Sequence, residues 1–170
     1  VLSRVADGLL AMPGLILVFA VIGILGSGLT NAMVALGFVV SPSTFRLARA
    51  TSLDLSNRTF VEAARSSGCT GRSILRTHIV PNAAGPLLVQ VTFLAGVAIV
   101  AEASLSFLGL GVQLPQASWG SMTDTAFDNF QETSWPLFPP VFMITISVLG
   151  LSMLGDAMSD ALGRDRGGRG

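Results

Sequence analysis

The chain has 170 residues, of which 51% are hydrophobic and 12% charged, with a mean hydropathy of +0.68. Soluble domains carry roughly 25% charged residues, so this chain has too little polar surface to cover a globule in water, and its apolar residues are gathered into long blocks that suit lipid. A formal net charge of zero gives no reason to expect a nucleic-acid partner. The lone Cys69 excludes an intrachain disulfide, and no Cys/His cluster could hold a metal.

A membrane-spanning helix needs about 20 mostly apolar residues. The first candidate covers about 9–29, with Pro13 expected in its first turns, where a helix tolerates it. The chain opens on Val1, with only Arg4 and Asp7 ahead of this block and no cleavage site, so an N-terminal part is expected to be missing. The second candidate, about 31–47, is weaker, and Pro42 should kink it. The third, about 86–108, contains Gln90 and Glu102. The fourth, about 136–154, is opened by Pro136, Pro139 and Pro140. The expected fold is therefore all-α and integral to the membrane, with about four spans.

The arginines orient these spans. Arg4 precedes the first; Arg46, Arg49, Arg58, Arg65, Arg72 and Arg76 lie between the second and third; Arg164, Arg166 and Arg169 follow the fourth. The stretches 26–31 and 110–135 contain no basic residue. Basic loops stay cytoplasmic, which makes about 50–82 a cytoplasmic loop and about 110–135 an external one. Trp119, Phe127, Phe130 and Trp135 give the external stretch an amphipathic look, as of a short helix at the membrane surface. Residues 163–170 are rich in Gly and Arg and are expected to form a disordered cytoplasmic tail.

The cytoplasmic loop reads as a helix, a break and a second helix. Asp54–Ser56 can cap the first; Ala63 and Ala64 favour it; Gly68 can end it or admit another backbone. The second amphipathic stretch, from Arg72 to Ile79, is expected to stop at Pro81. A small alanine face beside Glu62 and the arginines suits docking in a groove of another protein.

The pattern Glu62-Ala63-Ala64-x-x-x-Gly68, followed by Ile79-Val80-Pro81-Asn82, resembles the EAA loop of permease subunits of bacterial ABC importers. The stretches Ala101–Gln113, Ser118–Met122 and Leu154–Leu162 resemble the C-type permease of the dipeptide, oligopeptide and nickel transporters. The resemblance covers Arg4 to Leu162; at the end of the EAA loop it departs modestly, with His78-Ile79-Val80-Pro81 where Ile-x-Leu-Pro is usual. It implies the type I importer transmembrane fold, with six spans in the intact subunit and these as the last four. It also implies that Glu62, Ala63, Ala64, Gly68 and Pro81 belong to a coupling helix docked on an ATPase subunit. The implied partners are a homologous permease subunit, two ATP-binding subunits and an extracytoplasmic substrate-binding protein, in the bacterial inner membrane. ATP and Mg would be held by the partners, with no cofactor on this chain. The implied cargo is di- or oligopeptides, with nickel or another small solute as the alternative.

Other residues carry competing readings. Glu102 is an acid deep in an apolar stretch, a default functional candidate; bracing of its helix is the preferred reading, and an ion site in an ion-coupled secondary transporter is the rival. His78 reads as a loop surface residue. Asp156 and Asp160 read as solvated acids at a helix end, and Met122, Met143, Met153 and Met158 as packing residues. Gly109, Gly111 and Gly120 suit tight turns. No phosphate-binding loop or nucleophile–base pattern is present, and the chain has no lysine, so no catalytic residue is expected.

Overall fold

The computed structural model describes residues 2–113 and 115–167. Among these the chain is all-helical, without strands. Helix α1 (Leu2–Leu10) is followed by α2 (Gly14–Leu25) and α3 (Leu29–Ser56). A short α4 (Thr59–Ser66) and α5 (Gly71–Ile74) lead through a π turn (Leu75–Ile79) into α6 (Val80–Phe107). Helix α7 (Trp119–Asp128) and a 3-10 turn (Trp135–Leu137) precede α8 (Phe138–Gly167).

The single helix expected over 9–29 is divided. Pro13 disfavours helical backbone at the residue before it and is itself extended, with φ −58° and ψ 124°, so α2 starts only at Gly14. At the other end Gly26 and Gly28 take positive φ, 87° and 137°, a region that penalises a Cβ. The side-chain amide of Asn31 donates to the carbonyls of Leu25 (2.8 Å) and Gly26 (3.0 Å), meeting acceptors that a helix end leaves open. With 12 residues, α2 is about 18 Å long, short of the ~30 Å hydrocarbon core.

Helix α3 runs unbroken for 28 residues with a buried Pro42 inside it. Proline cannot donate to the carbonyl four residues back. Here that carbonyl, of Phe38, instead accepts from Ser41 Oγ at 2.9 Å, a local repair that lets the helix continue. The exposed pair Arg46–Asp7 (2.6 Å) lays α1 beside α3; such a pair contributes little energy but fixes which ends meet.

The two helices long and apolar enough to cross a membrane are Gly71–Phe107, taken through the π turn, and Trp135–Ala161. The first holds 37 residues, about 55 Å of helix. It is therefore longer than the ~30 Å hydrocarbon core is thick. Pro81 does not stop this helix, as the sequence reading expected: helical backbone runs on from the π turn through it, as the second residue of α6. Helix α6 packs chiefly on α8 and α3, and it lies close to α8 at Gly155, whose added Cβ would sit 2.7 Å from Thr92 Oγ1.

The core joining α2, α3 and α6 consists of Val18, Ile22, Ala32, Ala35 and Leu105. Outward, α6 and α8 are strongly apolar: Phe93 and Phe142 are each 63% exposed and Met153 71%. Met122, Met143 and Met153 thus face outward rather than packing within the chain. The tail expected to be disordered from 163 is helical as far as Gly167; Arg164 and Arg166 there have good helix propensity, and arginines suit a helix C-terminus. Residues 168–170 lie outside the described residues.

Candidate functional site

Two places gather the residues singled out by sequence. The first is the α4–α5 unit. Val61 and Ala64, three residues apart, share the inward face of α4 and are buried with Ile74, against which Ile79 also packs. Glu62, Ala63, Arg65 and Ser66 face outward. The two alanines therefore do different work. Ala64 lets α4 lie close on α5, while Ala63 leaves a shallow point on the exposed face between Glu62 and Arg65.

Gly68 terminates α4. Its φ is +79°, its N–H donates to Arg65 O (3.0 Å), and the next N–H, of Cys69, reaches back to Ala64 O (3.1 Å). This is a Schellman stop, in which the left-handed residue is usually glycine. Among the described residues no atom lies within 4 Å of the Cβ that Gly68 lacks, so there glycine is required by conformation and not by crowding. Two residues on, Thr70 Oγ1 accepts from Ser73 N (3.4 Å) and starts α5. Pro81 is exposed just beyond the π turn, and Asn82 Nδ2 donates to His78 O at 2.7 Å. His78, read from sequence as a surface residue, is half-buried, its ring 6.1 Å from that of Phe60.

The second place is the far end of α6. Glu102 Oε1 accepts from Ser106 Oγ (2.6 Å), and Ser106 Oγ in turn accepts from Val112 N–H (2.9 Å). Ser106 is 2% exposed, so its hydroxyl ties the acid to the turn after α6 in a place where an unmet polar group would be costly. That turn is a second Schellman stop: Gly109 has φ +72°, with Leu110 N–H on Leu105 O (2.8 Å) and Gly109 N–H on Ser106 O (3.0 Å). A Cβ on Gly111 would sit 2.9 Å from Ser106 N; one on Gly120 would sit 2.7 Å from Ala103 Cα and 2.8 Å from Ser106 Cβ. These glycines allow close approach as well as turning. Helix α7 begins there with a reciprocal capping box between Ser118 and Ser121. Leu110 O also accepts from Gly28 N–H (3.1 Å), so the α2–α3 turn and the α6–α7 turn lie at one end of the molecule.

The fold does not bring Glu102 to the α4–α5 unit; the two lie at opposite ends of α6. Sequence reasoning missed Val61, Ile74, Thr70 and Ser106. Ser106 was within reach, since four residues separate it from Glu102, one helical turn; its link to Val112 depends on the turn and had no sequence signal. Asp156 and Asp160 are exposed on α8.

Residues 1–167 match the family described as binding-protein-dependent transport system inner membrane component. A dipeptide transport system permease protein of Alkalihalophilus pseudofirmus is 39% identical over 161 residues, which is 95% of this chain and 53% of the relative. A glutathione transport system permease protein of Shigella dysenteriae is also 39% identical, with the same coverage. A putative peptide transport system permease protein of Brucella suis is 40% identical over 161 residues, 95% of this chain and 54% of the relative. The chain thus spans about half the length of the curated relatives it matches.

Proposed function

The chain belongs to the family of binding-protein-dependent transport system inner membrane components, and from that premise we propose that it forms part of a permease subunit of an ATP-driven bacterial importer of di- or oligopeptides. The names of its relatives, dipeptide, glutathione and peptide permeases, support peptides over nickel as cargo. The all-helical fold fits the type I importer transmembrane fold.

In this reading the chain crosses the cytoplasmic membrane several times. Its arginine-bearing segments lie inside, and α7 lies outside, following the distribution of basic residues. A homologous permease subunit completes the pathway, a substrate-binding protein delivers cargo from outside, and two ATP-binding subunits hold ATP and Mg. This chain holds no cofactor and catalyses no reaction.

The observation that carries the reading is the α4–α5 unit. It is a short helix fixed from behind by Val61, Ala64 and Ile74 and stopped by Gly68. Its outward face offers Glu62, Ala63 and Arg65 to a groove on an ATP-binding subunit. A preformed knob of this kind loses little entropy on docking and transmits displacement, since its own core resists deformation. Glu102, by contrast, is engaged by Ser106 in holding the far turn, which supports bracing over an ion path.

The test is uptake of labelled di- and tripeptides by cells with and without the intact gene, nickel uptake in parallel, and ATP depleted in a control. Gene- and ATP-dependent peptide uptake is expected. Nickel uptake alone would change the cargo. Uptake that survives ATP depletion with the proton gradient intact would replace the importer reading with a secondary transporter.

A further inference from the structure

Helix α6 is built differently at its two ends. At the end near α7, Schellman closure, the Ser106 hydroxyl and two close-packed glycines lock it to its neighbours. At the other end it continues into five π-helical residues, Leu75–Ile79, with Val80 N–H donating to Leu75 O. A π turn holds a residue more than an α turn, with weaker geometry, and such bulges collect at functional sites. Pro81 bars the surplus residue from moving toward α6, because it has no N–H to donate and its ring excludes the carbonyl four residues back. Asn82 reinforces that boundary through its bond to His78 O. On the other side, Leu75, Arg76 and Thr77 are exposed, whereas His78 and Ile79 at the α6 end of the turn contact the ring of Phe60 and the α4–α5 core. The α4–α5 unit beyond it is held by its own small core.

Resting on the functional reading above, we propose that the π turn Leu75–Ile79 is the hinge at which the α4–α5 unit re-aims relative to α6 during the ATP cycle. Passing the surplus residue toward α5 would turn the unit by up to about 100° and move it by about 1.5 Å along the axis, one residue of helical advance. The pivot is the exposed stretch Leu75–Thr77; the motion releases Ile79 from the α4–α5 core and His78 from Phe60, while Val61, Ala64 and Ile74 stay together.

The experiment is a spin-label distance measurement on the full-length permease in its complex with the ATP-binding subunits, reconstituted in lipid. Cys69→Ser removes the native thiol, and the exposed positions Ser73→Cys and Val91→Cys place labels on either side of the π turn. Val91→Cys with Met122→Cys reports the locked end. If Ser73→Cys impairs assembly, the exposed native Cys69 takes its place as inner label. Between nucleotide-free and ATP-trapped states the inner pair is expected to change by more than the ~1.5 Å of a single residue's rise, while the outer pair stays within error. ATP-driven peptide uptake with an unchanged inner distance, or with equal changes in both pairs, overturns the hinge alone. Uptake indifferent to ATP in the same preparation removes the functional reading and the hinge together.

Discussion

Gly68 separates two kinds of explanation for one residue. With φ +79° and open space around the missing Cβ, the chain alone asks only for a left-handed residue, a conformation costing roughly 1–2 kcal/mol for an ordinary L-residue. Gly68→Asn, which tolerates that region, should keep near-normal peptide uptake, whereas Gly68→Val should lose most of it at unchanged membrane levels. Equal loss in both variants would mean that a partner packs against the glycine itself. Glu102 is tested in the same way. Glu102→Gln retains an oxygen to accept from Ser106, so uptake and its proton dependence should stay within about twofold, a difference of ~0.4 kcal/mol. Abolished uptake in a fully assembled complex would restore the ion-path reading. The role of Gly68 was legible because a glycine follows a run of helix formers. Ser106 was half legible, from its spacing to Glu102, but its bond to Val112 needs a turn that only the folded chain supplies.

At the scale of elements, prolines were read least well, because a proline marks the start of a helix as readily as its end. Pro81 was expected to close a helix and instead is the second residue of α6; Pro13 was expected within a helix and instead precedes one. Pro42 was expected to kink its helix, and the structure shows how the chain accommodates it, through the hydroxyl of Ser41. The π turn left no sequence mark at all, since it is a choice of register and not of composition. Close packing is where element-scale change should be felt. Gly120→Ala forces a methyl against Ala103 and Ser106, and overpacking of this kind costs about 1–3 kcal/mol. The detergent-solubilised protein should denature at a lower temperature than wild type. Gly150→Ala, with nothing within 4 Å, should not lower it. Equal melting temperatures for the two variants would show that α7 does not seat on α6 as described.

For the whole molecule, the large apolar residues on the outside of α6 and α8 explain why hydropathy alone indicated lipid. The bundle also accounts for the arginine pattern. The Gly28–Leu110 hydrogen bond gathers the arginine-free turns at one end, and Asp7–Arg46 marks the other side of α3. If the arginine end faces the cytoplasm, Cys69 should react with an impermeant maleimide in inside-out vesicles and not in intact cells, and Gln116→Cys should do the opposite. The reverse pattern would invert the topology. What hydropathy could not give was helix length: α2 is cut short by Pro13 and Gly26, and α6 with its π turn is longer than the hydrocarbon core is thick.

In the proposed function the outward face of α4 transmits ATP hydrolysis to peptide movement. That coupling is tested most directly by measuring peptide imported per ATP hydrolysed in proteoliposomes containing the complete complex, with wild-type permease and with Glu62→Arg. The variant is expected to assemble and hydrolyse ATP while importing at least tenfold less peptide per ATP, a coupling loss of about 1.4 kcal/mol or more. An unchanged ratio in the variant would contradict it.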